Sequence, residues 1–188
     1  MRFLTTFAAL LMGTFLSLGA ASMTGTAQAA EPENTLVMEL PAGQVLISLR
    51  PDLAPKHVAR IKELTRQGFY NGLVFHRVID GFMAQTGDPT GTGRGGSGQN
   101  IEAEFTREPF RRGTLGMARS SSPNSADSQF FITFERASHL DTKYTVWGQV
   151  VSGMQFVDQL KKAPRGRSSG SVDGPDAIVS LQVQADIK

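Results

Sequence analysis

The feature that most constrains this fold is residues 74–88, where apolar and polar residues alternate around an Asp-Gly pair at positions 80–81. Asp-Gly between two β-forming runs is the strongest short-range signal of a hairpin, because both residues tolerate positive φ in the turn. Successive side chains of a strand point to opposite faces. We therefore expect Phe75, Arg77 and Ile79 to share one face of the first strand. His76 is expected on the other face, with Val78.

The residues around this turn combine groups that suit a ligand-binding surface. After the turn, Phe82 and Ala84 alternate with Met83 and Gln85. With Arg77 they predict a pocket of apolar surface, a guanidinium and an amide, which suits a neutral ligand rich in carbonyl groups. The alternative is that Arg77 is an ordinary surface arginine on an edge strand.

A second β-forming run lies at residues 128–134 and extends the same mixture of groups. Its alternation places Gln129, Phe131 and Thr133 on one face, and Phe130, Ile132 and Phe134 on the other. A glutamine beside a phenylalanine on a sheet again predicts a pocket that is partly apolar and partly polar. The preceding residues, 119–127, are rich in Ser and contain Pro and Asn, which is typical of a loop.

The remaining patterns predict further strands and two helices. Residues 35–40 and 44–49 are expected to form a hairpin. A helix is expected to open at residues 52–55, with Pro55 in its first turn, and to close at Gly68. Short strands are expected at 101–105, 114–117, 144–150 and 177–183, and a second helix from a Ser152 cap to Pro164. Many strands with two helices favour a mainly β fold, a closed antiparallel barrel capped by two α-helices.

Residues 87–98 form a glycine-rich stretch between two of these elements. Gly91, Gly93 and Gly96 have the spacing of a dinucleotide-binding fingerprint, but that fingerprint requires a helix directly after the loop. The residues that follow, 101–105, alternate and soon reach Pro109, which favours a strand. We therefore interpret residues 87–98 as a shaped surface loop.

The N-terminal residues carry the pattern of a removable secretory signal. Arg2 precedes a charge-free apolar run at residues 3–18, and Ala27-Gln28-Ala29 has the small residues that a signal peptidase recognises. A membrane anchor is the alternative, but Thr, Ser and Gly interrupt the run, which is short for a span. We expect residues 1–29 to be removed, which leaves one domain at residues 30–188 without stable membrane association.

Composition excludes several functions. The chain of 188 residues has 19 Lys and Arg residues against 17 Asp and Glu residues, so it lacks the charge typical of nucleic-acid binding. It contains no cysteine, which excludes disulfides, thiol nucleophiles and cysteine-ligated zinc. A hydrolase built from His76, Asp88 and the serines at 120–122 would need a nucleophile elbow that the sequence lacks.

Several separated motifs, in order, resemble the cyclophilin family of peptidyl-prolyl cis-trans isomerases. They are FHRVI at residues 75–79, GFMAQ at 81–85, GD at 87–88 and SQFFI at 128–132. The similarity runs from about residue 35 to residue 183, and with the leader the chain is similar to bacterial periplasmic cyclophilins. The resemblance implies an eight-stranded antiparallel barrel with a helix over each end, and a substrate groove on its outer face.

The resemblance also implies roles for particular residues. The catalytic arginine of the family corresponds to Arg77, and its substrate-backbone glutamine corresponds to Gln85. The proline pocket of the family corresponds to Phe82, Met83, Phe131 and Leu140. Five further positions line the same groove, namely His76, Ala118, Gln129, His139 and Tyr144. Because His76 alternates to the other face from Arg77, a structural role is favoured for it over acid-base chemistry.

Three features depart from the family pattern. His139 occupies a position where many members have tryptophan, which implies only weak affinity for cyclosporin. Tyr144 replaces a histidine, as in several bacterial members. Residues 119–127 differ from the common asparagine-containing sequence and are one residue longer, which affects the backbone contacts expected there.

The expected function is isomerisation of X-Pro bonds in unfolded or partly folded polypeptides during the folding of exported proteins. Rotation about such a bond needs no covalent step, so no metal, cofactor or nucleophile is expected. A non-catalytic module that binds proline-containing segments as a chaperone is the alternative, and Arg77 beside an apolar slot favours the enzyme. We expect a monomer in the periplasm.

Overall fold

The computed structural model describes Met1 and residues 31–188. The predicted leader, residues 1–29, lies outside the described residues except for Met1. Within the described part, no helix combines the length and the apolar character needed to cross a bilayer. From residue 31 the chain passes through a short 3-10 turn, Pro32–Asn34, into the first strand.

Eight strands, each paired antiparallel with its neighbours, form a single sheet. The strands are β1 (Thr35–Leu40), β2 (Gly43–Leu49), β3 (Arg77–Ile79), β4 (Met83–Thr86), β5 (Thr114–Met117), β6 (Phe130–Thr133), β7 (Val146–Ser152) and β8 (Ser180–Val183). Their order across the sheet is β3-β4-β6-β5-β7-β2-β1-β8. The mainly β, antiparallel, eight-stranded architecture predicted from the sequence is confirmed.

Irregular backbone joins the two edge strands of this sheet, β3 and β8. The Gly72 amide donates to the Ile178 carbonyl at 2.7 Å, and the Ile178 amide donates to the Leu73 carbonyl at 2.9 Å. The Phe75 amide donates to the Asp176 carbonyl at 2.9 Å. The two ends of the curled sheet are therefore linked by irregular backbone, in a seam without direct pairing of β3 with β8. The seam lies in the segments just before β3 and β8 and contains no regular ladder.

The interior of the barrel is a hydrophobic core built around Trp147. The rings of Phe130 and Trp147 meet edge to face with centroids 5.3 Å apart, and Tyr70 packs similarly against Phe130 at 5.5 Å. Phe75 belongs to this core, with 1% of its surface exposed, and does not share the face of Arg77. The expected position of Phe75 is wrong because regular strand geometry begins only at Arg77.

Helix α1 (Pro55–Arg66) begins and ends where the sequence predicts. Its N-cap residue, Ala54, offers no side-chain acceptor. The Glu104 carboxylate instead accepts the amides of the second and third helical residues, at 3.1 and 3.0 Å. Gly68 follows the helix with φ of 69°, the left-handed conformation that ends a helix without strain for glycine.

Helix α2 (Met154–Val157) is a single turn, shorter than the sequence predicts, and Ser152 does not cap it. Ser152 is the last residue of β7, and the N-cap position belongs to Gly153, with φ of 83°. A Cβ on Gly153 would lie 2.2 Å from the Gln44 carbonyl oxygen, so only glycine fits where the chain leaves the sheet. This close approach to β2 determines where the helix starts.

Residues 101–105 do not form the expected strand. Ile101 makes only an isolated bridge with Ala126. The amide of Ala103, which a ladder would use, donates to the side-chain oxygen of Asn124 at 3.0 Å. Side-chain acceptors therefore hold this segment as a loop.

Candidate active site

A row of cross-strand partners on the outer face of the barrel brings together residues from four strands. Arg77 on β3 pairs with Gln85 on β4, and Gln85 pairs with Phe131 on β6. Phe131 pairs in turn with Gly116 on β5. Directly paired residues of antiparallel strands project from the same face as close neighbours. Strand register alone therefore places a guanidinium, an amide and an aromatic ring side by side.

The missing side chain at Gly116 lets the Phe131 ring lie across β5. A Cβ at this position would come within 2.4 Å of the Phe131 ring and 2.5 Å of the Phe110 ring, so a larger residue would displace one of them. The two rings stack with centroids 5.6 Å apart. They belong to a second hydrophobic cluster, distinct from the barrel interior, whose buried members are Met83, Phe110, Phe131, Ala137, Leu140 and Val146.

This cluster opens to solvent as a cleft of about 270 Å³, here called the outer cleft. In its walls, Tyr144 meets Phe131 edge to face at 5.8 Å, and His139 lies against Phe82 at 5.1 Å. A cleft of this size suits one small apolar group better than a large ligand. Its lining consists of Arg77, Phe82, Met83, Gln85, Ala118, Arg119, Phe131, His139, Leu140 and Tyr144.

Two nitrogens of Arg77 hold its side chain at the outer cleft. Nε donates to the Ser169 carbonyl at 2.9 Å, and Nη1 donates to Gln85 Oε1 at 3.2 Å. Nη1 also lies 3.7 Å from the Met83 sulfur. Within residues 31–188 no acceptor is bonded to Nη2, so this nitrogen can donate to a bound ligand.

Burial of the guanidinium lowers the pKa of Arg77 below its ordinary value, and the nearby Tyr144 opposes this change. The group keeps its positive charge at neutral pH, because arginine does not lose its proton in proteins. Water screens a half-buried cation less than a surface arginine, so its hydrogen bonds to a ligand are stronger. The outer cleft thus offers a fixed positive donor beside an apolar floor.

The Gln85 amide has bonded neighbours on both sides. Its oxygen accepts from Arg77, and its nitrogen donates to Gln129 Oε1 at 2.9 Å. Gln129 donates in turn to the Gly95 carbonyl at 2.8 Å. Each donor therefore meets an acceptor, which orients both amides. The chain of bonds links the outer cleft to the glycine-rich loop, residues 87–98.

A more polar cavity of about 440 Å³, here called the side cavity, adjoins the outer cleft. The two share Gln85, Ala118 and Arg119 in their linings. The Arg119 guanidinium lies 4.6 Å from the centre of the Tyr144 ring and donates to the Lys143 carbonyl at 2.9 Å. This cation–π contact and hydrogen bond fix the Arg119 side chain where the outer cleft and the side cavity adjoin.

Asp88 organises the glycine-rich loop that borders the side cavity. Its buried carboxylate accepts from the Thr90 amide at 2.7 Å and the Thr90 hydroxyl at 2.8 Å. The amides of Thr92 and Gly93 also donate to it. Burial alone would raise the pKa of Asp88, but these hydrogen bonds lower it to about 2. The first half of the loop is therefore built around an ionised carboxylate, while Asp127 accepts from the amides of Ser97 and Gly98 at its end.

His76 packs beneath the same loop and lies outside the linings of both cavities. It is buried next to Gly93, and neither ring nitrogen has a hydrogen-bond partner among residues 31–188. Burial lowers the pKa of His76, and Asp88 opposes that change. The ring is therefore neutral at pH 7. The structure does not bring His76 to the other predicted site residues.

All the other site residues implied by the sequence, except Gln129, line the outer cleft. Gln129 lines the side cavity and bonds to Gln85. Sequence reasoning misses three contributors, Arg119, Phe110 and the Ser169 carbonyl. Arg119 begins a Ser-rich loop, where no alternation indicates which way a side chain points. Phe110 lies in an irregular segment with no periodic pattern. Ser169 contributes main chain from 92 residues beyond Arg77, and a main-chain acceptor has no sequence signal.

A family model described as cyclophilin type peptidyl-prolyl cis-trans isomerase/CLD matches residues 35–183, which contain all eight strands and the whole outer cleft. The chain belongs to the cyclophilin family. Its activity is therefore peptidyl-prolyl cis-trans isomerisation. The resemblance inferred from residues 75–88 and 128–132 is confirmed.

Relatives of this cyclophilin span most of its length. A probable peptidyl-prolyl cis-trans isomerase of Brucella suis is 52% identical over 185 residues, which cover 92% of each chain. The human peptidyl-prolyl cis-trans isomerase-like 3 is 42% identical, over 69% of this chain and 83% of the relative. A solved cyclophilin from Hirschia baltica has a TM-score of 0.73 at 28% identity, over 85% of this chain and 77% of its own. A Cryptosporidium parvum cyclophilin, solved in the presence of the dipeptide Ala-Pro, has a TM-score of 0.72 at 28% identity, over 79% and 98%.

Proposed function

We propose that this cyclophilin isomerises X-Pro bonds in unfolded or partly folded polypeptides exported to the bacterial periplasm, with Arg77 as its catalytic residue. One observation carries the proposal for the site. The Arg77 guanidinium is bonded through Nε and Nη1, while Nη2 has no partner among residues 31–188 and the side chain lines the outer cleft. The predicted leader at residues 1–29 supports the exported setting.

Rotation about an X-Pro bond is slow because the planar amide must lose its resonance, against a barrier of about 18–20 kcal/mol. In the twisted state the prolyl nitrogen becomes pyramidal and gains a lone pair. A positive donor beside that nitrogen can hydrogen-bond to this lone pair in the twisted state. In the planar amide the lone pair is delocalised, so the same donor has almost no acceptor there. Nη2 of Arg77 can therefore lower the barrier by electrostatic stabilisation aimed at the transition state.

The floor of the outer cleft supplies the second requirement, a fixed proline ring. Met83, Phe131 and Leu140 are buried there and offer apolar surface on which a small ring can pack. Gln85 can hold the main chain next to the ring, because its oxygen accepts one bond from Arg77 and keeps a second lone pair. The ring side of the bond is then held while the preceding carbonyl turns.

Expression of the full chain in a Gram-negative host, followed by fractionation, tests the exported setting. We expect isomerase activity in the periplasmic fraction, carried by a protein whose mass lacks residues 1–29 or 1–30. A protease-coupled assay on a proline peptide measures the activity, and intact mass spectrometry measures the cleavage. The matched control replaces Ala27 and Ala29 with Asp, which should block cleavage because the peptidase needs small residues there.

Two results would contradict the proposal. Full-length protein confined to the cytoplasm would refute export. A processed periplasmic protein that suppresses aggregation of an unfolded substrate, but leaves its proline-limited refolding rate unchanged, would refute a catalytic role in folding.

A further inference from the structure

We propose that residues 169–172, here called the bracing segment, position Arg77 for the reaction through the Ser169 carbonyl and the close packing of Gly170. The inference rests on the catalytic role proposed above for Arg77. It adds a positioning element that comes from a different part of the chain and does not line the outer cleft.

Main-chain bonds attach the bracing segment to the edge of β3 that lies away from β4. The Val78 amide donates to the Gly170 carbonyl at 2.9 Å, and the Val172 amide donates to the His76 carbonyl at 3.2 Å. Ser171 forms an isolated antiparallel bridge with Arg77. The bracing segment is thus the main outer partner of the short strand that carries the catalytic arginine, and the Ala163 amide adds one bond to the Val78 carbonyl at 2.9 Å.

The bracing segment also reaches the Arg77 side chain. The Ser169 carbonyl accepts from Nε at 2.9 Å, while Gln85 accepts from Nη1 at 3.2 Å. Because the guanidinium is planar, these two bonds together fix the plane and the direction of Nη2. With the Nε bond lost, a long flexible side chain would keep only the bond to Gln85 and its weak sulfur contact. The Ser169 carbonyl therefore aims the nitrogen that the mechanism uses.

Gly170 makes this close approach possible. It is buried, although the residues before and after it are exposed, and its φ is 74°. A Cβ at this position would lie 2.4 Å from Ile79 Cγ1 and 3.2 Å from Arg77 Cγ. A side chain here must therefore displace the Ile79 side chain or the bracing segment, and displacement of the segment would move the Ser169 carbonyl with it.

Gly170→Ala is expected to lower kcat/KM for a proline peptide at least about tenfold, since a shift of about 1 Å in a positioning group can cost a hundredfold. Most of the loss should fall on kcat. The matched control is Gly166→Ala, where φ of 85° imposes similar backbone strain but a Cβ would meet no atom within 4 Å. Its activity should stay within about twofold of wild type.

Two measurements separate positioning from a general loss of structure. In an Arg77→Ala background, adding Gly170→Ala should change kcat/KM by less than about twofold, because no guanidinium remains to be positioned. In NMR spectra, the Arg77 Nε–H signal is identified by its absence from Arg77→Lys. It should exchange slowly in wild type and in Gly166→Ala, and rapidly in Gly170→Ala.

The outcomes are distinguishable. Wild-type activity in Arg77→Ala would overturn the catalytic role itself. Loss of activity in Arg77→Ala, beside full activity in a folded Gly170→Ala, would overturn the positioning inference alone. If Gly170→Ala does not fold, the wild-type spectrum tests the bracing contact by itself. An Arg77 Nε–H that exchanges as fast as that of the exposed Arg165 would refute the contact. Slow exchange of the Arg77 Nε–H would support it.

Discussion

Arg77→Ala is expected to lower kcat/KM for X-Pro peptides at least about tenfold, or roughly 1.4 kcal/mol of transition-state stabilisation. The substitution removes a half-buried positive donor and leaves the apolar floor of the outer cleft in place. Because the lost bond is made to the twisted amide, the loss should fall on kcat more than on KM. A protease-coupled peptide assay measures both constants.

Arg77→Lys is the matched variant, because it keeps the charge but lacks the Nε donor and the planar fork. We expect its activity to stay close to that of the Ala variant. Thermal unfolding serves as the control for an intact fold. Unchanged activity in Arg77→Ala would remove this residue from the mechanism. Full activity in Arg77→Lys would show that charge alone suffices and that the bonds to Ser169 and Gln85 are unnecessary.

Asp88→Ala is expected to lower the free energy of unfolding by about 3 kcal/mol, because it leaves several buried N–H and O–H donors without their acceptor. The carboxylate accepts from Thr90, Thr92 and Gly93, and the loop that it holds supplies the carbonyl that accepts from Gln129 at the candidate site. Urea denaturation measures the change. The control is Asp52→Ala, where an exposed carboxylate pairs with Arg50 at 2.7 Å and should contribute less than about 1 kcal/mol.

Because the pKa of Asp88 is low, the stability that this residue contributes should depend on pH. Its folded pKa of about 2 lies below the ordinary value of 3.8, so between these values the unfolded chain binds a proton that the folded chain does not. The stabilisation is complete above pH 3.8 and is lost as the pH falls through about 2. The stability gap between wild type and Asp88→Asn should therefore narrow on acidification from pH 4 to pH 2. A constant gap over that range would show that ionised Asp88 does not hold the loop.

Local signals predict much of the barrel. The ends of α1 follow from Pro55 and Gly68, whose backbone preferences act within the chain segment itself. The errors occur where distant contacts decide the local structure. Gly153 starts α2 because of its approach to the Gln44 carbonyl, and residues 101–105 remain a loop because side chains satisfy their amides.

At the candidate site, too, local patterns are predicted correctly and long-range contacts are not. Alternation correctly places Phe131 on the opposite face from the core residue Phe130, because β6 is regular. It fails for Phe75, which precedes the regular part of β3. The register that sets Arg77 beside Gln85 and Phe131 depends on pairing between strands, which one strand's alternation does not specify. The Ser169 carbonyl lay beyond prediction because any residue can supply one.

A crystal structure of this cyclophilin with a short peptide that contains Ala-Pro tests the central claim most directly. We predict that the proline ring lies in the outer cleft against Met83, Phe131 and Leu140, with the prolyl nitrogen within hydrogen-bonding reach of Arg77 Nη2. A proline ring bound outside that cleft, or a prolyl nitrogen turned away from Arg77 in every bound conformer, would contradict the account.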